Sequence, residues 1–196
     1  MDCHDRLNVR KLPGQGPSLP PLRESTSGAR RRGRWLVQVD MNIELKLTVE
    51  DLNARYAQAI DDDKLEAWPD FFTEQGRYRV TTAENFERGL PLGMIYATSR
   101  AMLRDRVRSL REANVYEAQR YRHVIGVPLI ASAGGSAVRA QTSFIVARVM
   151  HSGETTLFAT GRYHDHVVLD DGTARFAEKI VILDSRLIDT LLAIPL

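Results

Sequence analysis

The sequence predicts an α+β domain in which helices come first and a curved antiparallel sheet follows. Two segments, residues 52–60 and 103–110, repeat apolar residues at helical spacing. Three long segments then alternate in strand-like fashion: 137–150, 154–169 and 173–185. Two-residue links that contain glycine, Ser152-Gly153 and Asp171-Gly172, separate these segments and are typical of β-hairpins. Helices followed by an antiparallel meander predict this fold class.

The first two helices are predicted from a cap and from apolar spacing. Thr48 is expected to cap a helix whose buried face carries Leu52, Tyr56, Ala59 and Ile60. A short second helix, Leu65 to Phe72, contains Pro69, which must lie near its first turn or break it. Its aromatic residues are expected to pack inward: Trp68 with Phe71 or Phe72.

A short strand, a loop and a third helix are predicted next. Residues 76–82 alternate with Tyr78 and Val80 on one side, and 85–93 is a loop by its Gly and Pro content. Ser99 is expected to cap the third helix, whose buried stripe is Leu103, Val107 and Leu110.

The long strands are expected to curve strongly around the helices. In the strand 137–150 the apolar residues fall on both faces, with Phe144 and Val146 on one and Ile145 and Val149 on the other. A flat sheet with one solvated face does not suit this pattern. Gly161 is predicted to form a bulge that bends the next strand.

Charge divides the chain into a leader, residues 1–40, and a domain, residues 41–196. The leader holds eight Lys/Arg against four Asp/Glu, half of the eight prolines and the run Arg30-Arg31-Arg32. With so few apolar side chains it is predicted to be disordered. A start codon assigned too early, with Met41 opening the protein, explains it most simply; a polybasic binding arm and a transit peptide are the alternatives.

Several classes of chemistry have no support in the sequence. The one cysteine, Cys3, lies in the leader, so residues 41–196 can form no disulfide and hold no cysteine-ligated cluster. The motifs GxGxxG, GxSxG and HExxH and the phosphate-binding P-loop are also absent. No apolar run reaches membrane-spanning length and no secretory signal precedes the domain, so a cytoplasmic protein is expected.

Two other patterns are interpreted conservatively. His164 and His166 project from one face of a strand and could reach one metal ion, but the sequence offers no third ligand, so we expect a surface pair. Arg100, Arg104, Arg108 and Arg111 form a stripe on the third helix. Asp105 and Glu112 interrupt it, and residues 41–196 carry a net acidic balance, so nucleic-acid binding is not expected.

The stretch 84–123 carries three spaced motifs in order: an EN-x-ERG-x-PL loop, a helix with R-x-M-L-x-D-R-V, and N-V-Y-E followed by R-Y-R-H. This order resembles the β (small) subunit of aromatic-ring-hydroxylating dioxygenases, and the similarity extends from Val49 onward. It implies a cone-shaped fold of the nuclear transport factor 2-like, scytalone-dehydratase-like type.

The resemblance also implies a function within a complex. The chain would be a non-catalytic structural subunit of an enzyme that degrades aromatic carboxylates of the benzoate, anthranilate, salicylate or phenylpropionate type. The α subunit would carry the Rieske cluster and a mononuclear iron, and a reductase would supply electrons from NAD(P)H. Three α with three β subunits are implied, and no catalytic, cofactor-binding or metal-binding residue is expected here.

Interface residues and an alternative function complete the predictions. Arg88, Arg120, Tyr121, Arg122 and His123 are predicted to contact α or neighbouring β subunits, since Arg and aromatic residues are enriched at interfaces. Enzymes of the cone fold use Tyr, Asp and His for acid–base chemistry. The alternative is therefore a free-standing dehydratase or isomerase, or a small-molecule-binding protein, that uses these four residues: Tyr56, Asp63, Tyr121 and His123.

Overall fold

The computed structural model describes residues 29–113, 117–170, 172–187 and 192–196. Helix α1 spans Ala29–Asp61, and a 3₁₀ helix spans Leu65–Phe71. The short α2 (Ala83–Glu87) and the longer α3 (Arg100–Glu112) follow later in the chain. Residues 1–28, most of the predicted leader, lie outside the described residues, and the boundary at residues 40 and 41 stays a prediction.

The prediction that Thr48 caps the first helix is wrong. Helix α1 passes through this residue, and the Thr48 hydroxyl donates to the backbone oxygen of Glu44 at 2.8 Å. A threonine inside a helix commonly makes this bond to the carbonyl four residues earlier. Local sequence could not distinguish that bond from a cap.

The buried faces of the helices agree with the predicted apolar spacing. On α1, Tyr56 is fully buried and its predicted neighbours are nearly so. Ser99 caps α3 by accepting from the Met102 backbone N–H at 3.3 Å, and α3 buries its predicted stripe. In the 3₁₀ helix, Trp68 is fully buried beside Phe72, the first residue of the next strand.

Within the described residues, seven strands form one open sheet against these helices. Their bounds are β1 Phe72–Thr82, β2 Ile95–Ala97, β3 Gln119–Ile125, β4 Leu129–Gly134, β5 Ala137–Met150, β6 Thr155–Asp170 and β7 Thr173–Leu183. The strand order is β2-β1-β7-β6-β5-β3, and β4 pairs with the other half of the β5 edge that β3 occupies.

The sheet is mixed rather than wholly antiparallel. Strands β5, β6 and β7 form the predicted meander, but β1 runs parallel to β7. No hairpin joins β1 to β7, and most of the domain separates them in sequence, so a tight turn does not set their relative direction. The predicted class is otherwise confirmed: an α+β domain with a curved sheet wrapped around helices.

The bulges lie elsewhere than at Gly161. On β6, Phe158 is an extra residue between the partners of Val146 and Ala147. On β7, Ala177 is an extra residue between the partners of His166 and Val167. Gly161 pairs regularly on both sides, and a Cβ there would overlap the backbone oxygen of Ile182. The glycine at position 161 therefore permits close backbone approach and does not form a bulge.

The core lies between α1, the 3₁₀ helix, α3 and the concave face of the sheet. Aromatic rings fill its centre: Tyr56, Trp68, Phe72, Tyr78, Tyr163 and Phe176, all fully buried. No helix in the described part of the chain combines the length and apolar character needed to cross a bilayer.

Candidate functional site

The four residues of the predicted acid–base set do not form one site. The Tyr56 hydroxyl donates to the backbone oxygen of Leu196 at 2.7 Å inside the core. Asp63 lies on the surface, where both its carboxylate oxygens accept from the Arg111 guanidinium. Tyr121 and His123 are buried side by side on β3. The acidic member of the predicted set is therefore wrong, because Asp63 pairs with Arg111 and not with His123.

Asp61, two residues earlier, is the partner of His123. Its Oδ1 lies 2.6 Å from the ring Nδ1, and its Oδ2 accepts from the His123 backbone N–H at 3.0 Å. Both side chains are almost completely buried, and His123 Nε2 has no hydrogen-bond partner among the described residues. The carboxylate thus favours the tautomer with the proton on Nδ1, which leaves Nε2 as an acceptor in the interior.

A surface cavity of about 560 Å³ lies next to this pair. It is lined by residues 60–64 at the end of α1, by 118–122 at the start of β3 and by Ile194. His123 is not among the lining residues of this cavity. The pair joins α1 to β3, and the geometry shows no catalytic arrangement around it.

A second polar cluster, which the sequence analysis missed, crosses the core. Lys179 Nζ donates to Asn53 Oδ1 at 2.8 Å and to both oxygens of Asp165 at 3.1 and 3.2 Å. The Asn53 amide in turn donates to Asp165 at 3.3 Å. Lys179 also lies over three aromatic rings, 3.7 Å from the centroid of Tyr163, 4.3 Å from that of Phe176 and 4.7 Å from that of Tyr56. Every strong donor and acceptor of the pair is therefore engaged.

Burial controls the titration of this cluster. It lowers the pKa of Lys179 to about 8, although Asp165 opposes the change. It also raises the pKa of the Asp165 carboxyl, against the effect of Lys179 and Asn53. Charged groups withdrawn from water behave in this way even when they are paired. The cluster links α1, β6 and β7.

The alternation of inward and outward side chains along β6 could have indicated that Asp165 is buried. The residue alternates with His164 and His166 and shares the buried face of Tyr163 and Val167. Lys179 gave no such signal, since the extra residue Ala177 reverses the alternation of β7 just before it. A bulge of this kind moves a charged residue from the outer face to the core.

The C-terminal segment, Leu192–Leu196, fills the remaining space in the core. The Tyr56 and Tyr78 hydroxyls both lie within 3.0 Å of the Leu196 backbone oxygen, and the Leu196 N–H donates back to Tyr78. Arg106 on α3 donates to the backbone oxygens of Leu192 and Ala193. The interior of the cone is thus occupied by the chain itself.

His164 and His166 lie together on the outer face of β6, as the sequence predicts. The His164 ring packs edge-on against Phe86 with centroids 4.9 Å apart, and burial lowers its pKa, with Arg162 as a smaller cause. Among the residues that the structure describes, no three metal-ligating side chains come together.

The arginine stripe of α3 is occupied by intramolecular ion pairs. Arg111 binds Asp63 and Glu66, with its Nε 2.8 Å from Glu66 Oε1. The other arginines pair with carboxylates as follows: Arg100 with Glu74, Arg104 with Asp70 and Arg108 with Asp105. Arg100, Arg104 and Arg111 therefore connect α3 to the 3₁₀ helix and β1, whereas Arg108 pairs within α3.

The predicted interface residues divide into exposed and buried groups. The side chains of Arg88 and Arg122 are 66% and 62% exposed, and Arg120 is exposed as well. Tyr121 and His123 are buried, 3% and 8% exposed, and the contact of these two residues with another subunit stays a prediction.

An outer apolar patch lies next to Arg122. Arg122 of β3 pairs with Ala147 of β5, and Ala147 pairs with Leu157 of β6. Two residues further along β3, Val124 pairs with Ile145 of β5. The exposed apolar residues of the patch are Val124, Ile145 and Leu157, which are 60%, 45% and 68% exposed. Clustered apolar side chains of this size on an outer sheet face are typical of a contact surface.

Comparison with known proteins gives one consistent family. Residues 41–179 match the SnoaL-like domain. The chain is 46% identical to terephthalate 1,2-dioxygenase, terminal oxygenase component subunit beta 1, from Comamonas sp. over 151 residues, which are 77% of this chain and 98% of the relative. It is 39% identical to the anthranilate 1,2-dioxygenase small subunit from Burkholderia cepacia, over 74% of this chain and 90% of that one.

A solved structure agrees with these relatives. The crystal structure assigned as the β subunit of an aromatic-ring-hydroxylating dioxygenase from Novosphingobium aromaticivorans superposes with a TM-score of 0.74. The two chains are 37% identical, and the match covers 80% of this chain and 99% of the other.

Proposed function

Because this chain belongs to the family of β subunits of aromatic-ring-hydroxylating dioxygenases, we propose that it is the structural subunit of a cytoplasmic oxygenase. This oxygenase would act in the degradation of aromatic carboxylates. One observation carries this proposal: the similarity spans 98% of a terminal oxygenase β subunit at 46% identity. The terephthalate and anthranilate relatives favour an aromatic ring that bears a carboxylate.

In the proposed complex the chemistry belongs to the α subunit. That subunit would hold a Rieske cluster and a mononuclear iron, and a separate reductase would deliver electrons from NAD(P)H. A stoichiometry of three α with three β subunits is proposed from the family. The filled core of this chain, with Leu196 between Tyr56 and Tyr78, supports a structural role over the alternative of a dehydratase or isomerase.

Arg88, Arg120 and Arg122 are proposed to contact α or neighbouring β subunits. Arg122 lies beside exposed apolar residues, Val124 and Leu157 among them, and an arginine beside an apolar centre is a common anchor of protein interfaces. Tyr121 and His123 would contribute indirectly, because their buried side chains fix the position of the strand that carries Arg122.

Truncation of these arginines tests the proposal. Arg122→Ala and Arg88→Ala should each weaken association with the α subunit roughly 30-fold, which corresponds to about 2 kcal/mol. Arg55→Ala is a matched control, since this side chain is 57% exposed and forms an i,i+4 pair with Asp51 on α1. Association is measured by titration of the purified α subunit, and turnover is measured on the intact complex.

The outcome separates the two candidate functions. Turnover per intact complex should stay near the wild-type value, because the substitutions act on assembly alone. If both variants assemble normally while turnover collapses, the subunit role is wrong and a direct part in catalysis is favoured. Metal analysis of the separated subunits should place stoichiometric iron with α only.

A further inference from the structure

The outer face of the sheet carries arginines that have no carboxylate partner of their own. Every arginine of the α3 stripe forms an intramolecular ion pair. Among the described residues, by contrast, Arg79, Arg120 and Arg139 form no ion pair. All three lie on strands: Arg79 on β1, Arg120 on β3 and Arg139 on β5. An unpaired guanidinium can bind a carboxylate of another molecule with two parallel hydrogen bonds.

Strand pairing places Arg79 and Arg139 in two neighbouring rows that cross four strands. In the order β5, β6, β7 and β1, the first row is Arg139, His166, Glu178 and Arg77, and the second is Gln141, His164, Ile180 and Arg79. The residues that alternate with these along each strand are buried, so both rows face away from the core. Since paired strands lie about 4.8 Å apart, each row is roughly 14 Å wide.

The charge on these rows is positive on balance. Glu178 is their one carboxylate, and its Oε1 lies 3.2 Å from Arg77 Nη2. Burial lowers the pKa of His164, so its ring adds no charge at neutral pH. Arg139 is exposed and Arg79 is partly buried. These two arginines therefore each contribute a positive charge that no carboxylate of the described residues offsets.

The rows continue along β5 into the outer apolar patch. Arg139 and Ile145 both point outward, and the strand between them alternates without a bulge. Six residues of strand separate the two, which corresponds to roughly 20 Å. Beyond the patch, β3 presents Arg120 and Arg122 on the same outer face. The apolar patch thus lies between two groups of arginines, and protein interfaces commonly have an apolar centre and a polar rim of this kind.

We propose that this outer face binds an acidic surface of the α subunit, whose carboxylates pair with Arg79, Arg120 and Arg139 around the apolar patch. The inference rests on the proposed function and adds the chemistry of the partner. Nucleic acid fits the face less well, because Glu178 and Ile180 interrupt the cations and a phosphate backbone offers no apolar surface to the patch. Paired charges at a rim of this kind chiefly accelerate encounter and select the partner.

The rate of association with purified α subunit tests the proposal. The double variant Arg79→Glu with Arg139→Glu should associate roughly tenfold more slowly at low ionic strength, because it repels the acidic surface that attracts the wild-type chain. Added salt should slow the wild-type chain and should narrow its difference from the variant. Stopped-flow measurement at several salt concentrations gives both quantities.

Two matched variants separate local charge from net charge and from folding. Lys46→Glu with Arg55→Glu makes the same change in net charge on exposed positions of α1, which lies against the concave face of the sheet. This control should associate at nearly the wild-type rate. Arg79→Lys with Arg139→Lys keeps both charges and should also stay near the wild-type rate. Circular dichroism checks folding, and Arg139→Glu alone should slow association roughly threefold if the double variant does not fold.

The possible failures can be distinguished from one another. Equal rates in the two double glutamate variants, or a wild-type rate that salt does not change, would overturn the acidic-partner proposal and leave the subunit role standing. A wild-type chain that does not associate with α at all would refute the subunit role and this inference together. Binding of a DNA duplex of about 20 base pairs, lost in Arg79→Glu with Arg139→Glu, would assign the face to nucleic acid instead.

Discussion

The two faces of the long sheet differ in what their polar and apolar residues do. On the inner face even the charged residues are engaged: Lys179 contacts Asp165, Asn53 and the aromatic rings around them. On the outer face, apolar side chains such as Val124 and Ile145 are left 60% and 45% exposed. The inner face is complete within one chain, whereas the outer face has the composition of a surface that a partner covers. Substitutions on the inner face should therefore lower folding stability, whereas substitutions on the outer face should weaken association.

The largest effect on stability is expected from breaking the inner ion pair. Lys179→Met leaves Asp165 as a buried carboxylate without its cation and should destabilise the fold by about 3–5 kcal/mol, measured by chemical denaturation. The double variant Asp165→Asn with Lys179→Met should recover most of this loss, because no uncompensated charge remains.

An exposed ion pair provides the matched comparison for that experiment. Arg55 and Asp51 lie 2.8 Å apart, but both side chains are more than half exposed. Arg55→Met should therefore cause little measurable change, since water screens such pairs. Equal losses for Arg55→Met and Lys179→Met would contradict the distinction between the inner face and the surface.

The outer face should respond in association rather than in stability. Val124→Glu and Ile145→Glu should leave the denaturation midpoint nearly unchanged, because both side chains are already in contact with water. Each should weaken binding to the α subunit by about 2 kcal/mol, measured by titration calorimetry. Leu47→Glu, on a residue of α1 that is 59% exposed, is the control. A loss of folding stability in place of affinity would show that the patch belongs to the core.

The pH dependence of stability should report the inner cluster. The pKa of Lys179 is about 8 in the folded chain and returns to about 10.4 on unfolding. Between these values the unfolded chain binds the extra proton, so the contribution of Lys179 to the free energy of unfolding rises with pH. Burial raises the pKa of Asp165, so its own contribution to stability is lost as the pH rises through that raised value.

Comparison with a variant that lacks both titrating groups isolates this effect. Denaturation at pH 7.5, 8.5 and 9.5 should show a more positive pH slope in the wild-type chain than in the double variant Asp165→Asn with Lys179→Met. Parallel slopes would mean that Lys179 titrates as it does in the unfolded chain.

The smallest effect is expected from removal of the leader. A chain that begins at Met41 should melt and assemble like the full chain, because residues 1–40 have few apolar side chains to pack. Thermal melting and co-purification with α are the measurements. A clear loss in either would assign a role to residues 1–40.

Sequence periodicity predicted most of the fold because burial follows it directly. The stripe of α3 and the alternation of β5 needed only the spacing of apolar residues, and both were correct. The parallel pairing of β1 with β7 was not predictable in this way, since it depends on where two distant segments meet. Bulges were equally hidden, because one extra residue on β6 or β7 leaves no compositional mark.

The candidate site was less predictable than the fold. The acid–base set paired His123 with Asp63, but its partner is Asp61, two residues earlier in the chain. Three consecutive aspartates, residues 61–63, look equivalent in sequence, and only the geometry at the end of α1 directs one inward and another toward Arg111. The Asp165–Lys179 pair depended on a bulge and could be found only from coordinates.

The bond between Asp61 and the His123 main chain also opposes backbone pairing at the β3 edge of the sheet. Strand β3 lies at an open edge of the sheet, and such edges invite a foreign strand to pair with their free backbone groups. The Asp61 carboxylate already accepts from the N–H in the middle of that strand and adds a negative charge there. An incoming strand would have to displace a buried carboxylate. Aggregation through this edge is thereby opposed, and association is left to side chains, which can distinguish one partner from another.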